Sequence, residues 1–559
     1  MPSGDALPML KAPPRPLSER LLSAAALVTG LALGLPVLTI IVLALMPTEN
    51  IWPHLIATVL PGYVMRTLAL MVGVGLITFA VGTAVAWLVT MCRFPLRPLF
   101  VWASLLPLAM PGYIVAFAYV DFLSYAGPLQ TWLRGVFGWT RPSDYWFPEI
   151  RSLGGAIFVL SMVLYPYVFL TARASFIRQP ATQLEVARAL GRTPWGAFRN
   201  VALPLARPGI AVGVSLALME CLNDIGAAGF FGVNTLTLGV YSTWITNGNL
   251  GGAAQISAVM LLFIFVLVWV ERTARRRQSF VLPSQRPRQP DRIRLNGWQR
   301  VLAVIVCATP IVIGFIIPAL VLLAFAASRL DQALSIPYLR AVYHSLMLAG
   351  LAAAIAVALG LVLGYANRTM RSRFTGNVIR ITSMGYAIPG TVLGIGVLIP
   401  LAGFDNAVDG FMRETFGIST GLLLSGSIAA VVFAYVVRFL AISFGTLESG
   451  LQKVTPNVAA AARTLGRGPV SAFFEVHLPL LRPALVAAGL LVFVDCMKEL
   501  PATLILRPFD FETLATSVFV LASMGELEES ALPALTIVAA GLLPVILLSR
   551  TFQEPHITS

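Results

Sequence analysis

The stretch Ala187-Arg188-Ala189-Leu190-Gly191-Arg192-Thr193-Pro194, running on through Val201-Ala202-Leu203-Pro204-Leu205-Ala206-Arg207-Pro208, occurs twice. It returns as Ala462-Arg463-Thr464-Leu465-Gly466-Arg467-Gly468-Pro469 through Val476-His477-Leu478-Pro479-Leu480-Leu481-Arg482-Pro483, 275 residues later and without a gap. Of the 22 positions from Ala187 to Pro208, 14 are identical between the copies, against about one or two expected by chance at ordinary residue frequencies. The chain is a duplication. Each copy lies between apolar runs long enough to cross a bilayer, so a polar, helix-forming insert is expected on one membrane face in each half. That placement suggests a docking element.

The composition agrees. With 57% hydrophobic and 11% charged residues among 559, the chain lacks the polar surface of a soluble globule, where about 25% charged is usual. It reads as an all-α, multispanning membrane protein. The net charge of +14 does not point to nucleic acid, because most basic residues are arginines between apolar runs, as the positive-inside rule requires. Cys92, Cys221, Cys307 and Cys496 are scattered and lack the close pairing of a zinc site or disulfide framework. They read as small buried hydrophobes.

Residues 1–20 are Pro-rich and basic and read as a cytoplasmic tail. Apolar runs follow at about 21–46, 67–91, 98–122, 153–172, 210–231 and 253–270, making a first unit over 21–270. Residues 271–300 form an Arg-rich linker suited to lying along anionic lipid. A second unit over 301–550 repeats the layout at about 301–327, 345–366, 379–401, 421–440, 484–505 and 534–548, and 551–559 is a closing tail. Twelve spans put both termini on one side. The arginines gather in the loops that share that side, which is therefore cytoplasmic and holds both repeated segments. An even number of spans separates the copies, so the halves are parallel repeats about an axis along the membrane normal.

A weaker echo places Pro111-Gly112 in span three and Pro389-Gly390 in span nine. A Pro-Gly pair breaks the hydrogen-bond ladder of a spanning helix, as a pathway-lining hinge or as a static packing kink. In the repeated loop, Glu185, Ala187 and Gly191 describe a short helix with small residues on one side and a Gly turn. Arg188 and Arg192, four apart, share a face. The alternative, an interfacial helix on lipid, does not explain why the segment is duplicated.

Glu185-Val186-Ala187, three residues, Gly191, nine residues, then Val201-Ala202-Leu203-Pro204 resembles the EAA loop of permeases in bacterial ABC importers. The resemblance covers nearly the whole chain, as a fused pair of six-span units with EAA-type loops at 173–209 and 445–483. It implies that these loops dock a dimeric cytoplasmic ATPase through Glu185, Ala187, Arg188, Gly191 and Arg192, and through Ala462, Arg463, Gly466 and Arg467. The second copy has Ala460 where the family usually has Glu. Cargo would come from a soluble binding protein, and the setting would be the bacterial inner membrane. The stretch Asp495-Cys496-Met497-Lys498-Glu499-Leu500-Pro501, continued to Phe509, further resembles the signature of iron(III) importer permeases.

Chemistry alone also singles out this region. Ionisable residues inside spans are costly and usually face a bundle interior or a watery path. Glu220 and Asp224 share a helical face, as do Asp495 and Glu499. Across the pseudo-axis Glu220 is expected to meet Asp495, and Asp224 to meet Glu499, with Lys498 able to neutralise one of them. Hard cations favour such oxygen ligands, though the same charges could simply pair and hold the halves in register. No metal site is assigned, and no catalytic apparatus is legible. The three lysines, Lys11, Lys453 and Lys498, are not followed by Ser or Thr, so the phosphate-cradling loop of an ATPase is absent. The chain is expected to bind no cofactor and to draw on ATP cleaved by its partner. Thiamine, sulfate or a polyamine stand as other cargoes. A secondary transporter with parallel repeats is a more distant reading.

Overall fold

The computed structural model describes residues 17–46, 51–276, 292–370, 385–454, 464, 471 and 473–551. Among them the chain is mostly helical, with two two-residue strands, Cys92–Arg93 and Ile293–Arg294, which pair in parallel. Eleven helices are long and apolar enough to cross a membrane, or twelve if the broken pair Arg97–Ala109 and Gly112–Phe137 makes one crossing. The protein is a polytopic helical bundle of two six-span repeats.

The first helix, Leu17–Leu45, shows how the spans are built. Leu31, Leu38 and Leu45, seven residues apart, are exposed on one side, while Leu33, Ile40 and Ala44 are buried on the other. Lipid is as apolar as leucine, so burial brings little hydrophobic gain here and association rests on close packing. Within the halves, Leu60–Met91 packs along Leu153–Ile177, and Ile336–Met370 packs along Ile428–Lys453. The opening span of each half also crosses to the other. Leu17–Leu45 lies against Ile336–Met370 and Gly390–Phe416, while Ile317–Ser328 lies against Gly112–Leu123.

The repeat is visible in backbone detail. Ser152 caps Leu153–Ile177 by accepting the Gly155 N–H, and Ser427 caps Ile428–Lys453 by accepting the Ala429 N–H. A widened π turn precedes spans five and eleven at the same offset, over Phe198–Ala202 and Phe473–His477. All four cysteines are buried and none is paired in a disulfide.

The structure corrects several expected spans. The Pro-Gly pairs stand at helix starts. Pro111 and Pro389, both extended, are the residues before new helices that begin at Gly112 and Gly390, and the pieces of span three meet at 89°. Spans five and eleven stop at Asn223 and Met497, and short helices Ile225–Phe230 and Pro501–Leu506 follow. Span ten runs from Ile428 to Lys453 rather than from 421 to 440. Gly421 is left-handed at φ 60°, and the Asp405 carboxylate binds the Leu424 and Ser425 amides at 2.8–3.1 Å, which ties that segment into a turn. Ala462, Arg463, Gly466 and Arg467 lie outside the described residues, as do 1–16, 277–291 and 552–559.

Candidate functional site

Two acidic residues create the centre of the molecule by ending helices. Asp224 turns the chain out of Leu203–Asn223, and its side chain accepts the Ala227 N–H at 2.8 Å, starting the next short helix as an N-cap. At the repeat offset, Glu499 accepts the Ala502 and Thr503 N–H groups and the Thr503 hydroxyl at 3.1–3.3 Å. Each carboxylate is packed against a Pro-Gly break. A β-carbon on Gly112 would fall on the Asp224 carboxylate, and one on Gly390 would fall on that of Glu499. The two Pro-Gly pairs and the acidic residues, unconnected in sequence, therefore form one construction.

These groups line a central cavity of about 70 Å³, room for roughly two water molecules. Pro111, Gly112, Glu220, Asp224, Asp495, Lys498 and Glu499 all contribute to its wall. They fall into two groups by the tyrosines on which their charges act. In one, Glu220 and Asp495 both act electrostatically on Tyr167 and Tyr386, and the two tyrosine side chains are hydrogen-bonded to each other across the halves. Here Lys498 pairs with Asp495 at 2.8 Å, and its charge also reaches Glu220. In the other group, Asp224 and Glu499 both act on Tyr113, whose buried hydroxyl has no hydrogen-bond partner among the described residues. Pro389 and Gly390 are not among the residues lining the cavity, but the Gly390 amide donates to the lining Asn223 side chain at 2.8 Å. Among the described residues, no three His, Cys, Asp or Glu side chains are grouped as a metal site.

Sequence reasoning overlooked Arg438, Asn223 and Tyr113. Arg438 is 4% exposed and pairs with Glu499 at 2.7 Å. It was hidden because the expected end of span ten, near 440, put it at a membrane surface. Its signal was the repeat itself, since the equivalent residue in the first half is Val163.

The described loop lies between spans four and five. Helix Ala181–Ala189 ends where Gly191 takes φ +78°, with the Arg192 N–H reaching back to the Ala187 carbonyl at 3.1 Å. Thr193 then caps Pro194–Ala197 by accepting the Gly196 N–H. The loop is tied to the bundle by Gln179, whose side-chain amide donates to the Ala202 carbonyl at 2.8 Å. Ala187 and Leu184 are buried in the core, so the small residue at 187 seats the helix against its own bundle. The outer surface carries Glu185, Val186, Leu190, Arg192 and Trp195, all exposed.

Two six-span repeats around an acid-lined cavity, with a pinned loop that offers apolar side chains on one face, are the layout of a transmembrane permease. Residues 79–279 match the family described as binding-protein-dependent transport system inner membrane component. The chain resembles the fused two-unit permeases of ABC importers. It is 25% identical over 489 residues to the Fe(3+)-transport system permease protein FbpB 2 of Haemophilus influenzae, covering 87% of this chain and 89% of that one. It is 21% identical to the ferric transport system permease protein FbpB of Actinobacillus pleuropneumoniae, covering 83% and 68%. The molybdenum transport system permease protein ModB of Escherichia coli is 27% identical over 35% of this chain and 86% of its own length.

Proposed function

We propose that this chain is the inner-membrane permease of a binding-protein-dependent ABC importer whose cargo is iron(III). The observation that carries the cargo class is the charge of the central cavity. Its wall holds four carboxylates, Glu220, Asp224, Asp495 and Glu499, against two basic groups, Arg438 and Lys498. An excess of carboxylate attracts cations, offers the oxygen ligands that hard cations favour, and repels an oxyanion such as molybdate. Similarity to Fe(3+) permeases along most of the chain supports the same cargo.

In this reading both termini and both repeated loops are cytoplasmic, and a soluble binding protein delivers iron at the opposite face. The exposed Glu185, Val186, Leu190, Arg192 and Trp195 dock one subunit of an ATPase dimer, with Arg188 on the same helix. The second copy, with Ala462, Arg463, Gly466 and Arg467, docks the other. ATP is bound and cleaved by the partner, and this chain needs no cofactor. Closure of the ATPase pulls on the loops and rocks the halves between outward-open and inward-open states.

Uptake of radiolabelled Fe(III) into proteoliposomes holding the permease, the ATPase and an iron-loaded binding protein tests the reading. Uptake is expected only with ATP. Uptake that survives without ATPase function and collapses with an ion gradient would assign a secondary transporter instead.

A further inference from the structure

The duplication has diverged where its halves meet. At the 275-residue offset, Asn223 corresponds to Lys498 and Val163 to Arg438. Lys498 turns to Asp495 on its own helix. Asn223 instead reaches into the other half. Its side-chain oxygen accepts the Gly390 N–H at 2.8 Å and an Nη1–H of Arg438 at 3.0 Å. The same Nη1 donates to Glu499 at 2.7 Å. One guanidinium nitrogen thus ties a carboxylate of the second half to an amide oxygen of the first, in the wall of the central cavity.

Two features mark this tie as one that opens. It is charge-assisted and buried, where such bonds are strongest, so it can hold two bodies together without a large interface. It is also incompletely satisfied. Arg438 Nε and the Tyr113 hydroxyl, both buried and on residues lining the cavity, have no partner among the described residues. Buried donors facing a cavity are free to bind water or cargo that enters it.

We propose that Arg438 and Asn223 are the gate of the translocation path: with the Gly390 amide they latch the halves over the closed cavity, and the latch must part for cargo to pass. The proposal rests on the permease reading above and adds to it a gate that is polar, asymmetric and made by residues that differ between the repeats.

The test is ATP hydrolysis by the full chain reconstituted with its ATPase, with and without loaded binding protein. Asn223→Ala removes the acceptor and leaves the Arg438–Glu499 pair whole. Arg438→Lys keeps the buried charge but carries it on a side chain one bond shorter, so its ammonium falls short of the Nη1 position that serves both partners. Each variant is expected to raise unstimulated hydrolysis by about tenfold, toward the stimulated rate, as the closed state loses its latch. Arg413→Gln breaks an ion pair with Asp409 remote from the cavity and is expected to behave as wild type. A responsive wild type alongside Asn223→Ala and Arg438→Lys proteins that keep the wild-type unstimulated rate would overturn the gate alone. A wild type that binds no ATPase would overturn the permease reading and the gate with it.

Discussion

The carboxylate of Asp224 occupies the place that a β-carbon on Gly112 would need, and the same relationship holds between Glu499 and Gly390. A helix break in one span is thereby fitted to a helix break in another, once per half. The fit explains why an acidic residue and a glycine are both required. The carboxylate caps a short helix, and only a residue without a side chain lets it come that close.

Gly112→Ala and Gly390→Ala are therefore expected to cut transport about fivefold while the protein still inserts, because the displaced carboxylate loses its cap, worth about 1 kcal/mol. Gly390→Ala should be the more severe, since its β-carbon would also meet the Ala502 amide nitrogen and an Arg438 nitrogen. Uptake assays with membrane-fraction immunoblots check both. Wild-type uptake in either variant would dissolve the link between the Pro-Gly pair and the path.

Arg438→Met alone leaves Glu499 buried without a counter-ion and is expected to destabilise the protein by about 3–5 kcal/mol. Arg438→Met combined with Glu499→Gln should recover most of that loss, because no uncompensated charge remains. Thermal unfolding in detergent gives the coupling energy through a double-mutant cycle. Additive effects would mean that the pair is not energetically joined.

On the loop, Leu190→Asp puts a charge on an exposed apolar position without touching the buried Leu184 and Ala187. It is expected to weaken co-purification of the ATPase by about tenfold, the scale of one lost anchor, with the melting temperature unchanged. Gly191→Ala, at φ +78°, should disturb the turn itself and lower transport and ATPase coupling while membrane insertion persists. Unchanged ATPase binding by Leu190→Asp would remove this surface from the docking site.

The loop before span four offers a pH test. Asp144 accepts the Thr140 and Arg141 backbone N–H groups at 2.8 Å each, and these bonds hold its carboxyl below the usual carboxylate value. Its ordering effect is fully present above the ordinary value of about 3.9 and is lost as pH falls through the lowered one. Trp139, stacked on Tyr145, reports the change. Its fluorescence should shift only at strongly acid pH, and Asp144→Asn should show the shifted signal already at neutral pH.

The duplication, the helical class and the acidic positions were legible because each leaves a local mark: a repeat, a long apolar run, a charge within such a run. Helix ends left weaker marks. Asp224 and Glu499 read as charges on continuous spans, whereas their carboxylates end one helix and begin another. Arg438 looked superficial because hydropathy cannot separate an apolar extended turn at 421–427 from the helix that follows. Partners across the halves, such as Asn223 with Gly390, depend on tertiary contact and carry no sequence periodicity. The inward turn of Ala187 was likewise invisible, since small residues suit a docking surface and a tight internal seam equally well.

The most direct test is ATP hydrolysis by this permease reconstituted with its ATPase, comparing binding protein loaded with iron(III), loaded with thiamine, and empty. Stimulation by the iron-loaded form above the other two is the expected result. Stimulation by another cargo alone would contradict the iron assignment, and the absence of any associated ATPase would contradict the importer itself.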